Sequence, residues 1–403
     1  MVRLSIPLRG RLTVGLLAVA LVLPACGGSQ QGGGLSGSVS ASGGTPTAGP
    51  TSGGVNAGRW TALPASPLPA LVRVTGLWNG SELLVAGEVA NADPPATASA
   101  AYNPSTQRWR RLPAPPPGGP GRYEGELETV WTGKEMILLG ASYHTAYSPA
   151  TNRWRTLPDT TAAHLGGFAM VWTGAQVLTW GGGCCDSFEA TGAAYTPATN
   201  TWTALPASPL AGRLTTGAWT GTELVIPGGT GGDRMVRDSE GREVDLGPST
   251  VADGAAYNPT TRAWRAIAPL PAPRTGETLT WDGHELLAVG GAGENTATAP
   301  DTALAYDPGT NRWRTLPRFS AGRITHGAVW TGRQLLVWGG GRFVAGELVP
   351  APHGDAYSPA TNTWTALPMS PLRGRGSPVV AWTGHALLVW GGDGRTDGAA
   401  YAP

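Results

Sequence analysis

Along most of this chain the apolar residues come in short runs separated by glycine, proline, asparagine and threonine, a spacing that predicts strands and turns. The stretch "GAVWTGRQLLVWGG", residues 327 to 340, is two β-rich runs around a Trp-x-Gly turn and predicts a tight hairpin. "DAYSPATNTWTAL", residues 355 to 367, predicts a second hairpin, in which Pro359 and Asn362 end one strand and Trp364 begins the next. Each such unit is therefore expected to supply four antiparallel strands.

The unit repeats. Its Ala-Tyr-x-Pro tyrosines are Tyr102, Tyr147, Tyr195, Tyr257, Tyr306, Tyr357 and Tyr401, at separations of 45, 48, 62, 49, 51 and 44 residues. Upstream of each lies a Trp-x-Gly turn, beginning at Trp78, Trp131, Trp172, Trp219, Trp281, Trp330 and Trp382, with an apolar run after it. A lone four-stranded sheet cannot cover both of its faces, so the copies are expected to stack as blades around an axis. The repeat also accounts for all 17 tryptophans: seven in the turns, seven before Leu-Pro or its equivalent (Trp60, Trp109, Trp154, Trp202, Trp264, Trp313, Trp364), and Trp180, Trp338 and Trp390 before Gly-Gly. Their predicted place is the core between blades.

A strand ending in Gly-Gly, then a Tyr, then a Trp seven residues later, as in Gly339-Gly340, Tyr357 and Trp364, resembles the kelch repeat of the galactose oxidase central-domain superfamily. The resemblance spans residues 58 to 403. It implies an all-β, seven-bladed β-propeller with four antiparallel strands per blade. Two copies depart from it: "LVAGE" at 84 to 88 and "ILLGA" at 137 to 141 lack the double glycine. The last copy, "GGDGRTDGAAYAP" at 391 to 403, has no Trp segment, whereas "GRWTALPASPLP" at 58 to 69 stands alone and matches "NTWTALPMSPLR" at 362 to 373. The strand near Trp60 is therefore expected to close the last blade, removing the open edge of a linear array.

Ahead of the repeats, "MVRLSIPLRGRLTVGLLAVALVLPAC" has a basic start, an apolar run from Leu12 to Leu23 and small residues before Cys26. That pattern is expected of an export signal over residues 1 to 25. Its "LPAC" resembles the bacterial lipobox and implies that Cys26 is lipidated, anchoring the chain to the cell membrane or envelope with the propeller on the extracytoplasmic side; cleavage nearby as an ordinary secreted protein is the alternative. Residues 26 to 57 are nearly all Gly, Ser, Thr and Ala, a composition that cannot bury a core and predicts a flexible tether with a reach of roughly 30 Å. Formal charge is +1, and loss of Arg3, Arg9 and Arg11 with the signal would leave about −2, which argues against a nucleic-acid partner. A monomer is expected.

Function has to come from a site. The Trp-x-Gly and Pro-x-Thr turns are short and share one rim; the connections after Gly-Gly and after Leu-Pro vary in length and share the other, where recognition is expected. The longest is the charged, Gly-rich stretch from 228 to 255. Arg122, Arg213, Arg274, Arg323 and Arg375 lie six to nine residues before a Trp-x-Gly. As a ring they can bind carboxylate, sulfate or phosphate in bidentate fashion, and the kelch resemblance implies acidic ligands. The bland alternative is that Arg is simply this protein's cation, with Lys134 the single lysine, and that Glu124, Glu126, Glu128 and Glu277 pair with it. Adjacent Cys184 and Cys185 are candidates for a vicinal disulfide, for two free thiols, or for a partial metal site.

The expected role is recognition of a glycan or protein ligand, with a preference for anions. Kelch propellers also carry enzymes, so the competing reading is a sugar-modifying enzyme resembling the sialic-acid epimerase and, less so, the copper oxidase. No catalytic constellation is legible, and no cofactor or metal is called for: only Tyr123 and Tyr143 stand outside the repeat, and the six histidines form no ligand motif.

Overall fold

In a computed structural model, residues 58–93, 95–116, 126–141, 143–160, 166–184, 187–237, 240–293, 299–344 and 347–403 are described, without the side chains of 184, 233–237, 243–248 and 343. The export signal, the tether, Cys26 and Arg122 lie outside them.

Local chemistry makes the turns. In each Trp-x-Gly unit the glycine takes a positive φ, from 87° at Gly133 to 104° at Gly283. Nothing lies within 4 Å of where a Cβ would stand at these seven glycines, so backbone conformation, not space, requires glycine there. The middle residue holds the turn from its side chain: Thr132 Oγ1 accepts from the Glu135 amide at 3.0 Å, and Asn79 Oδ1 from the Glu82 amide at 2.8 Å. On the same rim, Asn152, Asn200, Asn311 and Asn362 adopt φ near +50°, and each Oδ1 accepts the phenolic O–H of its blade's tyrosine at 2.7 to 2.8 Å.

These turns join strands into seven four-stranded antiparallel sheets. Blade 1 comprises Leu71–Trp78, Leu83–Val89, Thr97–Asn103 and Arg108–Arg111. Blades 2 to 6 begin with Glu128–Trp131, Phe168–Trp172, Ala218–Trp219, Thr278–Trp281 and Gly327–Trp330. Blade 7 takes Val379–Trp382, Leu387–Trp390 and Gly398–Ala402 from the end of the chain and Arg59–Ala62 from the front. Each first strand packs on the next, and Val379–Trp382 returns to Leu71–Trp78, so the ring is closed. The protein is a seven-bladed β-propeller.

Closure follows the rule of the other blades. Trp60 pairs with Tyr401 as Trp109 pairs with Tyr102 and Trp364 with Tyr357. Its indole N–H donates to the Pro368 carbonyl of blade 6 at 2.9 Å, and five other fourth-strand tryptophans make the same clip to the preceding blade at 2.7 to 3.1 Å. Trp364 departs from the pattern: its indole N–H has no partner among the described residues, and its ring rests on Phe319 at 5.2 Å.

The core lies between blades, because each hydrophobic cluster draws on two neighbours; one joins Leu71 and Leu83 of blade 1 to Val379 and Trp390 of blade 7. Second strands are covered on both faces and read as continuous apolar runs, whereas fourth strands turn chiefly their tryptophan inward. Trp180, Trp338 and Trp390 are fully buried and pack on Trp264, Trp60 and Trp109 of the following blades. The fourth-strand tryptophans, Trp202 among them, are only half-buried.

Candidate functional site on the variable rim

Where a blade carries Gly-Gly, both glycines take positive φ. The second N–H then reaches into the next blade: Gly182 donates to the Arg213 carbonyl, Gly229 to Arg274, Gly291 to Arg323 and Gly340 to Arg375, at 2.8 to 3.0 Å. The arginine side chains turn back into their own blades. Arg375 Nη1 donates to the carbonyls of Gly391 and Asp397, and both Nη atoms contact the Asp397 carboxylate at 2.7 and 3.1 Å. Arg213 repeats this with Gly228 and Asp253. Arg323 uses Gly339, His353 and the Asp355 carboxylate, with Ser320 Oγ also in reach. All four described arginines are buried, Arg375 completely. Arg323 and Arg375 clasp the end of a second strand to the start of a third, Arg213 ties the same two strands of blade 4 at its Gly-Gly, and Arg274 reaches only the third strand; the head groups are spent within their own blades.

Arg274 has the carbonyl contact, to Thr302, but no carboxylate. Thr302 stands four residues before its tyrosine, where blades 4 and 7 have Asp253 and Asp397 in identical "DGAAY" segments. The neighbouring Asp301 pairs instead with Arg318. Burial holds the Arg274 guanidinium below its usual pKa, with Glu277 opposing the shift. Glu277 itself is 2% exposed, and its Oε2 has no hydrogen-bond partner among the described residues. Burial pushes its carboxyl up to about 7, despite its own backbone and Arg274. Nearby His326 accepts or donates to Thr278 Oγ1 at 2.8 Å and is pushed down to about 3 by burial, with the Arg323 charge adding to the effect. The expected pairing of glutamates with the arginines is thus absent at Glu277, and aspartates take that place.

The solvent side of this rim is built by additions. After Gly-Gly, blade 3 adds the two-residue pairing Gly183–Cys184 with Ser187–Phe188, which holds Cys184; Cys185 lies outside the described residues. In blade 4 the long connection expected over 228 to 255 is largely strand. Its second and third strands run on as Leu224–Arg237 and Glu243–Asn258, paired out to Arg237 opposite Glu243, with register shifts where glycines let the ribbon bend. Blade 6 adds a hairpin, Gly341–Val344 with Glu347–Pro350, that the sequence reading did not single out. At its foot is a cleft of about 360 Å³ lined by Ser320–Gly322, the segment from Val349 to His353, exposed Arg342 and buried Arg323. Among the described residues, no three His, Cys, Asp or Glu side chains gather as a metal site. Compared with known protein families and with curated proteins, the chain matches none.

Proposed function

We propose that this chain is a cell-envelope-tethered, kelch-type propeller whose variable rim binds a glycan or protein ligand, with a preference for anionic groups. The observation that carries the reading is the asymmetry of the two rims. All three added hairpins, and all four exposed large hydrophobic residues among those described, lie on the rim of the Gly-Gly and Leu-Pro connections. Recognition surfaces are typically built this way, as variable segments on a rigid scaffold.

The position of Gly58 sets where the proposed tether would meet the propeller. It leads into Arg59–Ala62, which starts opposite Ala402 on the turn rim. A tether ending in a lipid on Cys26 would therefore join the propeller on the turn rim, the side opposite the added hairpins. Binding of the full chain to glycan and peptide arrays tests the first half, alongside a variant in which residues 233 to 248 are replaced by an Asn-Gly turn and another with blade 6 hairpin residues 342 to 349 so replaced. Binding that survives both replacements counts against the variable rim. Labelled palmitate in the wild type and in Cys26→Ser tests the anchor; equal labelling would remove it.

A further inference from the structure

The exposed apolar residues are concentrated as well as one-sided. Val344 and Val349, 45% and 44% exposed, stand on the blade 6 hairpin, and Met369, 72% exposed, on the connection leaving the same blade. Strand pairing sets Arg342 opposite Val349 and Val344 opposite Glu347. Residues two apart share a face, so one side of the hairpin presents two valines, a guanidinium and a carboxylate. The foot of the hairpin is anchored: Gly341 bridges Ile324, the Ala351 amide donates to the Gly340 carbonyl at 2.7 Å, and Gly374 packs against the Pro350 backbone.

Chemistry narrows the occupant. The Arg323 guanidinium lining the cleft is spent on Asp355 and on backbone carbonyls. His353 is held below the usual imidazole range by burial, with Arg323 and Arg342 adding to it and Asp355 opposing, so it brings no cation at neutral pH. The positive charge left to the cleft is that of exposed Arg342; exposed Glu347 shares its hairpin face but does not line the cleft. The rest of the cleft's lining is Ser320, Ala321 and Gly322 on one side and Val349, Pro350, Ala351 and Pro352 on the other, and the Ser320 hydroxyl is spent on Asp355 at 2.8 Å. A sugar ring would need several polar groups converging on it; with Ser320 and Arg323 engaged by Asp355, the side chains left to supply them are Arg342 and His353. An extended peptide alternates its side chains, and it can add to an unpaired strand edge; among the described residues the hairpin is a two-stranded sheet with no third strand.

We propose that the blade 6 hairpin and its cleft form a docking site for an extended polypeptide segment of acidic and aliphatic side chains, with Arg342 as charge anchor and Val344 and Val349 as the apolar contact. The proposal rests on the variable-rim reading and narrows it to one partner class and one blade. A display library of random dodecapeptides, panned on the full chain and on Arg342→Ala and Val349→Asp, is the test, with the unfolding midpoint of each variant as control and Val344→Ser as a milder change on the same face. Enriched peptides should alternate Asp or Glu with Val, Leu or Ile, and a synthetic copy should bind at least fivefold more weakly to either variant and lose affinity with added salt. Peptides that bind both variants equally overturn the assignment; if replacing residues 233 to 248 abolishes them, the variable rim stands without this site. Enrichment of basic peptides overturns it too, as does a library that enriches nothing. Binding of oligogalacturonate that is lost in Arg342→Ala would replace the peptide by an acidic glycan.

Discussion

The two rims of the propeller are made from the same seven sheets, yet they differ in what they repeat. On the turn rim the same devices recur around the ring: a glycine at positive φ, a threonine, asparagine or aspartate side chain on the turn amides, and an asparagine on the tyrosine hydroxyl. Even its ion pairs follow a pattern. Blades 1, 2, 4 and 5 pair Glu82, Glu135, Glu223 and Glu285 with Arg110, Arg155, Arg265 and Arg314. Blades 3 and 6 have Gln and Thr at both positions, and blade 7 has Ala and Thr. The variable rim repeats only its buried layer, the clasp of arginine and double glycine, and changes everything above it. Repetition thus marks what closes the ring, and departures mark where a ligand would be met.

The largest expected effect comes from opening the ring. Removing the chain before Ala70 strips blade 7 of its fourth strand and the Trp60 clip. It should destabilise the whole domain by more than the roughly 3–5 kcal/mol typical of deleting one large aromatic; an unchanged thermal unfolding profile would mean that the strand is dispensable.

Next come the clasps, and the three carboxylates rank them. Asp355 is as buried as Arg323, whereas the Asp253 and Asp397 side chains are 56% and 57% exposed. Arg323→Ala strands a buried charge and should cost roughly 3–5 kcal/mol. Arg213→Ala should cost less, since water can reach Asp253; urea midpoints that fall in the reverse order would contradict this account of the clasp.

Blade 5, the clasp without a carboxylate, predicts a pH effect. Glu277 is raised from 4.5 to about 7 in the folded state. Because the fold favours its protonated form, the stability it contributes is fully present below pH 4.5 and is lost as pH rises through about 7. Glu277→Gln keeps the neutral shape and should remove that slope, raising stability at pH 8 by roughly 1–3 kcal/mol. A destabilised variant at pH 8 would instead point to a cation held by the carboxylate. His326, pushed down to about 3, works in the opposite direction: its contribution is lost as pH falls from 6.5 toward 3. The smallest effect is expected on the turn rim, where Glu285→Ala removes a half-exposed ion pair and should change stability by under about 1 kcal/mol in chemical denaturation.

The blades could be read in advance because tyrosine and tryptophan mark opposed positions of the third and fourth strands, and that pairing holds wherever a blade forms. Closure at Trp60 was legible for the same reason. The arginines were legible as a recurring position but not in their role, since a guanidinium near the axis suits a ligand or a clasp equally well until its partner is known. The repeated "DGAAY" at 253 to 257 and 397 to 401 held the signal for that partner. The blade 6 hairpin escaped notice because "GRFVAGELVP", residues 341 to 350, has no counterpart in another blade against which it would stand out. Its face appears only once Arg342 and Val349 are seen to pair.

Amide hydrogen exchange of the full chain, with and without the selected dodecapeptide, tests the division between the rims most directly. Slowed exchange in residues 341 to 353, with the seven Trp-x-Gly turns unchanged, is the predicted result. Protection confined to those turns would contradict it and place recognition on the rim that the fold repeats.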